Sequence, residues 1–155
     1  MQAQVSIKAM FEPKEIDPLR FCKLAQVWEA DASLSGFPRL ASEFTQAQLF
    51  CRVAGRIDKH EGCVLHVEVR GEADLTCQRC LGVLTHDIAI ERDVYLVRNE
   101  AELERRDADP ELSGDVILMG AKLNLIELVE DEVLLGLPLT PMHAPGVCVI
   151  PVDFI

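Results

Sequence analysis

The chain has 155 residues, of which 49% are hydrophobic, so it is long enough and apolar enough to bury a sizeable core. Its formal net charge of −11 argues against a protein that binds nucleic acid mainly through the phosphates. Residues 1–20 lack the apolar core of a signal peptide, and no apolar run is long enough to cross a bilayer, so we expect a cytoplasmic protein. In that compartment its six cysteines are expected to be thiols or metal ligands rather than disulfides.

Residues 1–48 are predicted to form a helical segment followed by a linker. Asp17 and Pro18 have the order of an N-cap and a first helical residue. Apolar residues then repeat with helical spacing up to about residue 29, before a turn rich in serine, glycine and proline. Trp28 is interpreted as a packing residue of this helix rather than a binding platform.

From residue 49 to residue 97 the apolar period changes to two, which is typical of β-strands with one buried face. The clearest run begins at Cys63 and ends at Leu75, with apolar and polar side chains in alternation. Continuing that alternation places Cys77 at the end of the strand, on its inward side. Short turns join this run to the strands on either side, so residues 49–97 are predicted to form an antiparallel β-meander.

The last third is predicted to contain a mobile, charge-rich loop at residues 98–115, then a strand, a helix and a tail at residues 116–155. Asn124 and Glu127 have the spacing of a capping box at the start of that helix. The helix is acidic on the side assigned to solvent, where the carboxylates are those of Glu127, Glu130, Asp131 and Glu132. The predicted fold class is therefore α+β: an antiparallel β-meander with an N-terminal helix and a C-terminal acidic amphipathic helix.

Four residues supply a candidate metal site. Cys77 and Cys80 form a Cys-x-x-Cys pair between two predicted strands, and His143 and Cys148 form a looser pair near the C-terminus. Structural zinc takes four thiolate or imidazole ligands in a tetrahedron, and these residues supply them as a Cys3His set. Arg79, inside the turn, would offset part of the charge of three thiolates, and binding would attach the tail to the sheet. Spacing alone leaves free thiols in a reduced cell equally open.

Other functional classes have less support. A redox pair is normally activated at a helix N-terminus, whereas this Cys-x-x-Cys precedes a β-patterned run. Cys22, Cys51 and Cys63 fall on apolar positions and are interpreted as core cysteines, and His86 as a core histidine. The sequence contains no Gly-x-Ser-x-Gly, no His-Glu-x-x-His and no glycine-rich phosphate loop, so we do not expect an enzyme.

Several segments together resemble the YceD family, the large ribosomal RNA subunit accumulation proteins of bacteria. They are CQRCLG at residues 77–82, VEDEVLLGLPLTP at residues 129–141, and the ending with His143 and Cys148; IDPLRF at residues 16–21 is also similar to the family's N-terminal segment. The resemblance implies one YceD-like domain over residues 1–155. It implies a non-catalytic factor that supports synthesis, processing or stability of large-subunit ribosomal RNA, and it strengthens the case for zinc.

The resemblance implies ribosomal RNA or a large-subunit assembly component as the partner, with no membrane and no small-molecule substrate. After Arg106 the sequence has one basic residue, Lys122, against nine acidic ones, so this third is expected to repel phosphate. We therefore expect the acidic helix to meet a basic protein, and any RNA contact to use arginines such as Arg79. Family members often continue into a tail with an Asn-Pro-Phe motif and terminal lysines, whereas this sequence stops with PVDFI at residues 151–155. If that tail contacts ribosomal components, this protein either lacks the contact or is a shortened version. The alternatives are a zinc-stabilised protein adaptor unrelated to ribosomes and, with least support, a thiol oxidoreductase.

Overall fold

A computed structural model describes residues 15–59, 62–109, 114–144 and 146–148. These residues form a mixed α+β fold, which confirms the predicted class. None of the helices in the described ranges is both long and apolar enough to span a membrane. The elements, in chain order, are β1 (Glu15–Ile16), α1 (Pro18–Lys23), β2 (Val27–Ser33), β3 (Gln46–Ile57), β4 (Cys63–Thr76), β5 (Val83–Val97), α2 (Glu100–Asp107), β6 (Gly114–Leu118), β7 (Leu123–Asn124) and α3 (Leu125–Leu135).

The main sheet has the strand order β2-β3-β4-β5-β6, and its first four strands are antiparallel neighbours. The predicted meander is therefore present as β3, β4 and β5. β6 pairs with β5 in the parallel direction, which requires the crossover that α2 provides. A separate two-stranded sheet joins β1 to β7. In the long β4–β5 hairpin, Thr76 pairs with Val83, so residues 77–82 form the connecting loop.

One face of the main sheet carries the core, as the alternation in the sequence predicts. α3 packs over this face and buries the side chains of Leu125, Val129 and Val133 completely. Burial of such apolar side chains is the dominant favourable term in folding. The buried residues contributed by the three meander strands include Leu49, Cys51, Val53, Leu65, Val67, Val69, Val94 and Leu96.

The N-terminal helix is shorter than predicted. α1 ends at Lys23, Ala25 has a positive φ of 47°, and Val27 begins β2, which pairs with β3 over seven residues. The helical interpretation of residues 24–29 was therefore wrong. Trp28 packs in the core as expected, but from a strand, because edge pairing to β3 buries Trp28 and Ala30 on the same face of the sheet.

The segment at residues 98–115, predicted to be a mobile loop, contains the eight-residue helix α2. Its N-cap is Asn99, whose side-chain Oδ1 accepts a hydrogen bond from the Glu102 backbone N–H at 2.8 Å. Near its end, the Arg106 guanidinium donates to an Asp58 carboxylate oxygen at 3.2 Å, which attaches α2 to the segment after β3. An uncharged side chain, Asn99, therefore caps the helix, and a charged one, Arg106, anchors it.

Candidate metal centre

The loop between β4 and β5 positions two of the predicted ligands. Cys77 directly follows β4, and its backbone N–H donates to the carbonyl oxygen of Gly82 at 2.9 Å, which closes the loop across the hairpin. The Leu81 N–H donates to the Cys77 carbonyl oxygen, also at 2.9 Å, and Leu81 takes a positive φ of 60°. This compact turn brings Cys80 back beside Cys77, and both side chains are buried.

The C-terminal segment lies along the same loop and is joined to it by hydrogen bonds. The Gln78 N–H donates to the Pro141 carbonyl oxygen at 2.8 Å, and an Arg79 guanidinium nitrogen donates to the His143 carbonyl oxygen at 3.3 Å. In the opposite direction, the His143 N–H donates to the Cys77 sulfur at 3.5 Å. The chain therefore folds back onto the hairpin loop before it reaches Cys148.

The four predicted ligands meet at one point. The ligand atoms of Cys77, Cys80, His143 and Cys148 all lie within 4.8 Å of one another. The Cys77 and Cys148 sulfurs are 3.7 Å apart, and His143 Nδ1 lies 3.4 Å from the Cys80 sulfur and 3.6 Å from the Cys148 sulfur. Tetrahedral zinc bonded to sulfur and nitrogen would place two sulfurs about 3.8 Å apart and a sulfur about 3.6 Å from a nitrogen. These three separations are those of a tetrahedron that could enclose one metal ion.

The imidazole of His143 is oriented for coordination. Its Nε2 lies 2.9 Å from the carbonyl oxygen of Val83. Because a carbonyl can only accept, Nε2 carries the proton, and in the neutral ring Nδ1 then presents a lone pair to the sulfurs of Cys80 and Cys148. A hydrogen bond from the non-coordinating nitrogen to a carbonyl is the usual way in which proteins fix the tautomer of a metal-binding histidine.

The sulfurs differ in their electrostatic surroundings. Burial acts to raise the pKa of the Cys77 thiol, but the N–H groups of Cys80, His143 and Arg79 outweigh it and lower that pKa to about 5. The pKa of Cys148 is raised, first by burial and then by the neighbouring sulfurs of Cys77 and Cys80. A divalent cation would stabilise the thiolate form of all three cysteines together.

The remaining cysteines are core residues, as predicted: Cys22, Cys51 and Cys63 are buried. Burial raises the pKa of Cys51 to about 12, and burial together with the neighbouring Cys63 does the same for Cys22. Such thiols are poor nucleophiles and poor ligands at neutral pH. His86, predicted as a core histidine, is only half-buried.

The acidic helix differs from its prediction. Glu127 and Asp131 are exposed, but Glu130 and Glu132 have exposed fractions of only 1% and 3%. The assignment of these two residues to a solvent-facing side was therefore wrong. For Glu130 the burial is explained by a residue distant in the sequence, because the Arg39 backbone N–H donates to Glu130 Oε2 at 2.6 Å.

Arg39 also anchors the exposed part of the helix. Its guanidinium forms an ion pair with the Asp131 carboxylate at 2.6 Å, so α3 is held by the segment before β3 as well as by the sheet. Arg79, the other residue predicted to contact a partner, is exposed on the loop between β4 and β5. The sequence offered no local signal for the role of Arg39, since its carboxylate partners are about ninety positions away.

Fold and site together define a class: a small α+β protein whose C-terminal segment is gathered against a β-hairpin by a Cys3His cluster that could bind a metal ion. The model of one family, described as large ribosomal RNA subunit accumulation protein YceD, matches residues 65–151. This match covers more than half of the chain and includes all four cluster residues. The chain belongs to the YceD family. No solved structure matches it.

Proposed function

We propose that this protein is a non-catalytic cytoplasmic factor that supports the synthesis, processing or stability of large-subunit ribosomal RNA. The observation that carries the proposal is the family match, whose description names the accumulation of that RNA. The cluster supports a structural rather than a catalytic centre, because four protein ligands would fill every position of a tetrahedral ion and leave none for a substrate.

The ion proposed for this site is zinc. Three sulfurs and one imidazole nitrogen form a soft donor set, and Zn²⁺ accepts such a set in tetrahedral geometry without redox chemistry. The orientation of His143 by the Val83 carbonyl and the N–H groups directed at the Cys77 sulfur fit the same interpretation. The ion would hold the tail to the hairpin, which hydrogen bonds alone would do more weakly.

A protein partner is favoured over direct contact with RNA phosphates. On the outer face of the sheet, arginines that could contact RNA are paired with carboxylates: Arg52 with Glu29, Arg56 with Asp93, and Arg70 with Glu68. Each pair neutralises the charge that a phosphate would require. The exposed carboxylate of Glu127 would instead favour a basic ribosomal protein or assembly factor, with Arg79 as a further contact. Asp131 would take part only by exchanging its ion pair with Arg39 for one with the partner.

Depletion of the protein tests the ribosomal role. We expect the ratio of large-subunit to small-subunit ribosomal RNA to fall, and the wild-type chain to restore it. The variant Cys77→Ser should restore the ratio less well, whereas Cys51→Ala, which changes a core cysteine outside the cluster, should act like the wild type. An unchanged ratio after depletion would contradict the proposal.

Co-purification distinguishes the mode of contact. We expect ribosomal proteins to remain bound after ribonuclease treatment at low salt and to dissociate as salt increases, because charge pairs are screened. Loss of every ribosomal protein after ribonuclease would indicate that RNA makes the contact.

A zinc-stabilised protein adaptor unrelated to ribosomes is the second candidate. The observation that favours it is the exposure of large apolar side chains around the cluster, on the loop and the tail: Leu81, Val83, Leu139, Met142 and Val147. Exposed apolar groups close together often mark protein interaction sites. An adaptor of this kind should co-purify with its protein partners. Its depletion should leave the ratio of large-subunit to small-subunit ribosomal RNA unchanged.

A further inference from the structure

A groove of about 590 Å³ separates α3 from the edge of the main sheet. It lies beside β6, the last strand of the sheet, and none of the four cluster residues lines it. Its walls are largely apolar and are formed by Val94, Val116, Ile117, Leu128, Leu134 and Leu135. The polar side chains that line it are Arg39, Asp115, Asp131 and Glu132.

Glu132 is the unusual member of this groove. Its exposed fraction is 3%, and its Oε2 has no hydrogen-bond partner among the described residues. The nearest paired cation is the Arg92 guanidinium, whose Nε lies 3.9 Å away, beyond hydrogen-bond distance. A buried carboxylate oxygen without a hydrogen bond costs a fold free energy, so a donor from outside the described residues would stabilise Oε2.

The charges around Glu132 leave a negative excess. The carboxylates of Asp115, Asp131 and Glu132 line the groove, while the Arg39 guanidinium is engaged by Asp131. Burial, and after it the neighbouring Asp115 carboxyl, raise the pKa of Glu132 to about 7, although Arg92 opposes the shift. A cation placed between Glu132 and Asp115 would therefore offset both the desolvation cost of the buried Glu132 carboxylate and the repulsion between the two carboxylates.

We propose that this groove binds a lysine or arginine side chain from a basic protein segment, with its aliphatic stem against the apolar walls and its cationic head at Glu132. Long basic side chains bury their stems on apolar surface in this way, and a guanidinium or ammonium supplies the charge-assisted hydrogen bond that Oε2 lacks. The inference rests on the proposed function in one respect, namely that the partner is a basic protein.

Two other occupants fit the groove less well. A bound metal ion would need more oxygen ligands, and among the described residues the cluster of Cys77, Cys80, His143 and Cys148 is the one group of three or more metal-binding side chains. An RNA phosphate would be repelled by Asp115, Asp131 and Glu132.

Peptide binding to the purified, zinc-loaded full chain tests the groove. The probe is a short fluorescein-labelled peptide in which arginine alternates with glycine, and its control has citrulline, which is uncharged and of nearly the same shape, at each arginine position. We expect fluorescence anisotropy to show about tenfold or more tighter binding of the arginine peptide than of the citrulline peptide. A lysine version should also bind, and equal affinity for the citrulline peptide would overturn the proposal.

Matched variants locate the contact. Glu132→Gln keeps the shape of the side chain and should lose most of the preference for arginine, and Asp115→Asn should weaken it in the same direction. Glu72→Gln removes an exposed charge from β4, outside the groove, and should change the affinity by no more than about twofold. Equal losses in Glu132→Gln and Glu72→Gln would overturn the proposal, because they would show attraction to the overall acidic surface. An RNA oligonucleotide that binds more tightly than the peptide and depends on Glu132 would overturn it as well.

The binding assay and the depletion experiment fail independently. The assay uses no ribosomes. If the groove does not prefer the arginine peptide, the proposed function is still tested by the ratio of large-subunit to small-subunit ribosomal RNA after depletion. Conversely, the purified protein could select the arginine peptide while depletion leaves the ratio of large-subunit to small-subunit ribosomal RNA unchanged. That result would support the binding site and contradict the ribosomal role.

Discussion

At the metal centre, single side chains perform distinct tasks. The two ring nitrogens of His143 face different partners, since Nε2 donates to the Val83 carbonyl and Nδ1 faces the sulfurs of Cys80 and Cys148. The Cys77 sulfur is surrounded by N–H donors, which favour its thiolate form. The site is therefore organised by backbone groups of the loop and the tail as well as by its ligands.

Replacement of one ligand tests zinc binding directly. We expect the purified wild-type chain to contain close to one zinc per chain and Cys77→Ser to lose most of it, because three remaining ligands cannot close the tetrahedron. Elemental analysis after gel filtration gives the stoichiometry. Cys51→Ala, which alters a buried cysteine on β3, should keep its zinc; metal-free wild-type protein of unchanged stability would contradict the four-ligand site.

Glu132 should make the free energy of unfolding depend on pH. Its pKa is about 7 in the folded chain, against 4.5 as the ordinary value, so the folded state holds its proton to higher pH than the unfolded state. The free energy of unfolding therefore falls as pH rises from about 4.5 to about 7 and gains nothing back above that. Glu132→Gln removes this pH dependence. The free energy of unfolding of the variant, relative to that of the wild type, should therefore rise by about 2 kcal/mol between about pH 5 and about pH 8.

Urea unfolding of both proteins at the two pH values measures this difference. Glu127→Gln, which removes an exposed carboxylate from the same helix, is the matched control and should show little pH-dependent difference from the wild type. A Glu132→Gln variant that follows the wild type at both pH values would show that the carboxylate is neither desolvated nor crowded by Asp115.

At the level of elements, α3 links the core to the site. Its N-cap is Asn124, whose Oδ1 accepts hydrogen bonds from the N–H groups of Ile126 at 2.9 Å and Glu127 at 3.2 Å. Its apolar side packs on the sheet, and the chain that follows its last residue leads to the loop between β4 and β5. The helix therefore connects the core to the segment that carries His143 and Cys148.

Removal of that cap should lower the stability of the whole fold. We expect Asn124→Ala to lower the free energy of unfolding by about 1 kcal/mol, because two backbone N–H groups lose their acceptor. Asn99→Ala, which removes the cap of the peripheral α2, is the comparison and should have a smaller effect on global unfolding. Asn124→Asp, which keeps an acceptor, should recover most of the loss in the same urea titration.

The elements differ in how far the sequence alone could predict them. In β4 the alternation is unambiguous because one face is buried and the other meets solvent, and the strand was predicted within a residue or so. Around Trp28 the apolar spacing fits a helix and a strand alike, and pairing with β3 decides the outcome. The burial of Glu130 was unpredictable, since the N–H that satisfies it belongs to a segment 91 positions away.

For the whole molecule, one long-range link is the approach of Cys77 to Cys148, 71 positions later in the chain. The ligand types were recognisable in the sequence, but their separation in space depends on α3, on the hairpin loop and on the backbone bonds that direct residues 141–143 along it. Only the folded chain gives the tetrahedral spacing. The hydrophobic core cluster, by contrast, includes none of these four residues.

This separation predicts that zinc removal releases the tail and leaves the sheet folded. With a chelator, we expect amide hydrogen exchange to accelerate at residues 77–82 and 141–148, because the ion no longer holds these two segments together. Protection of β3 and β4 should be unchanged, since their side chains are buried by α3 and by one another. The variant Cys148→Ser without chelator should reproduce the pattern, and Cys51→Ala should not. Loss of protection across the entire sheet would show instead that the ion and the core fold as one cooperative unit.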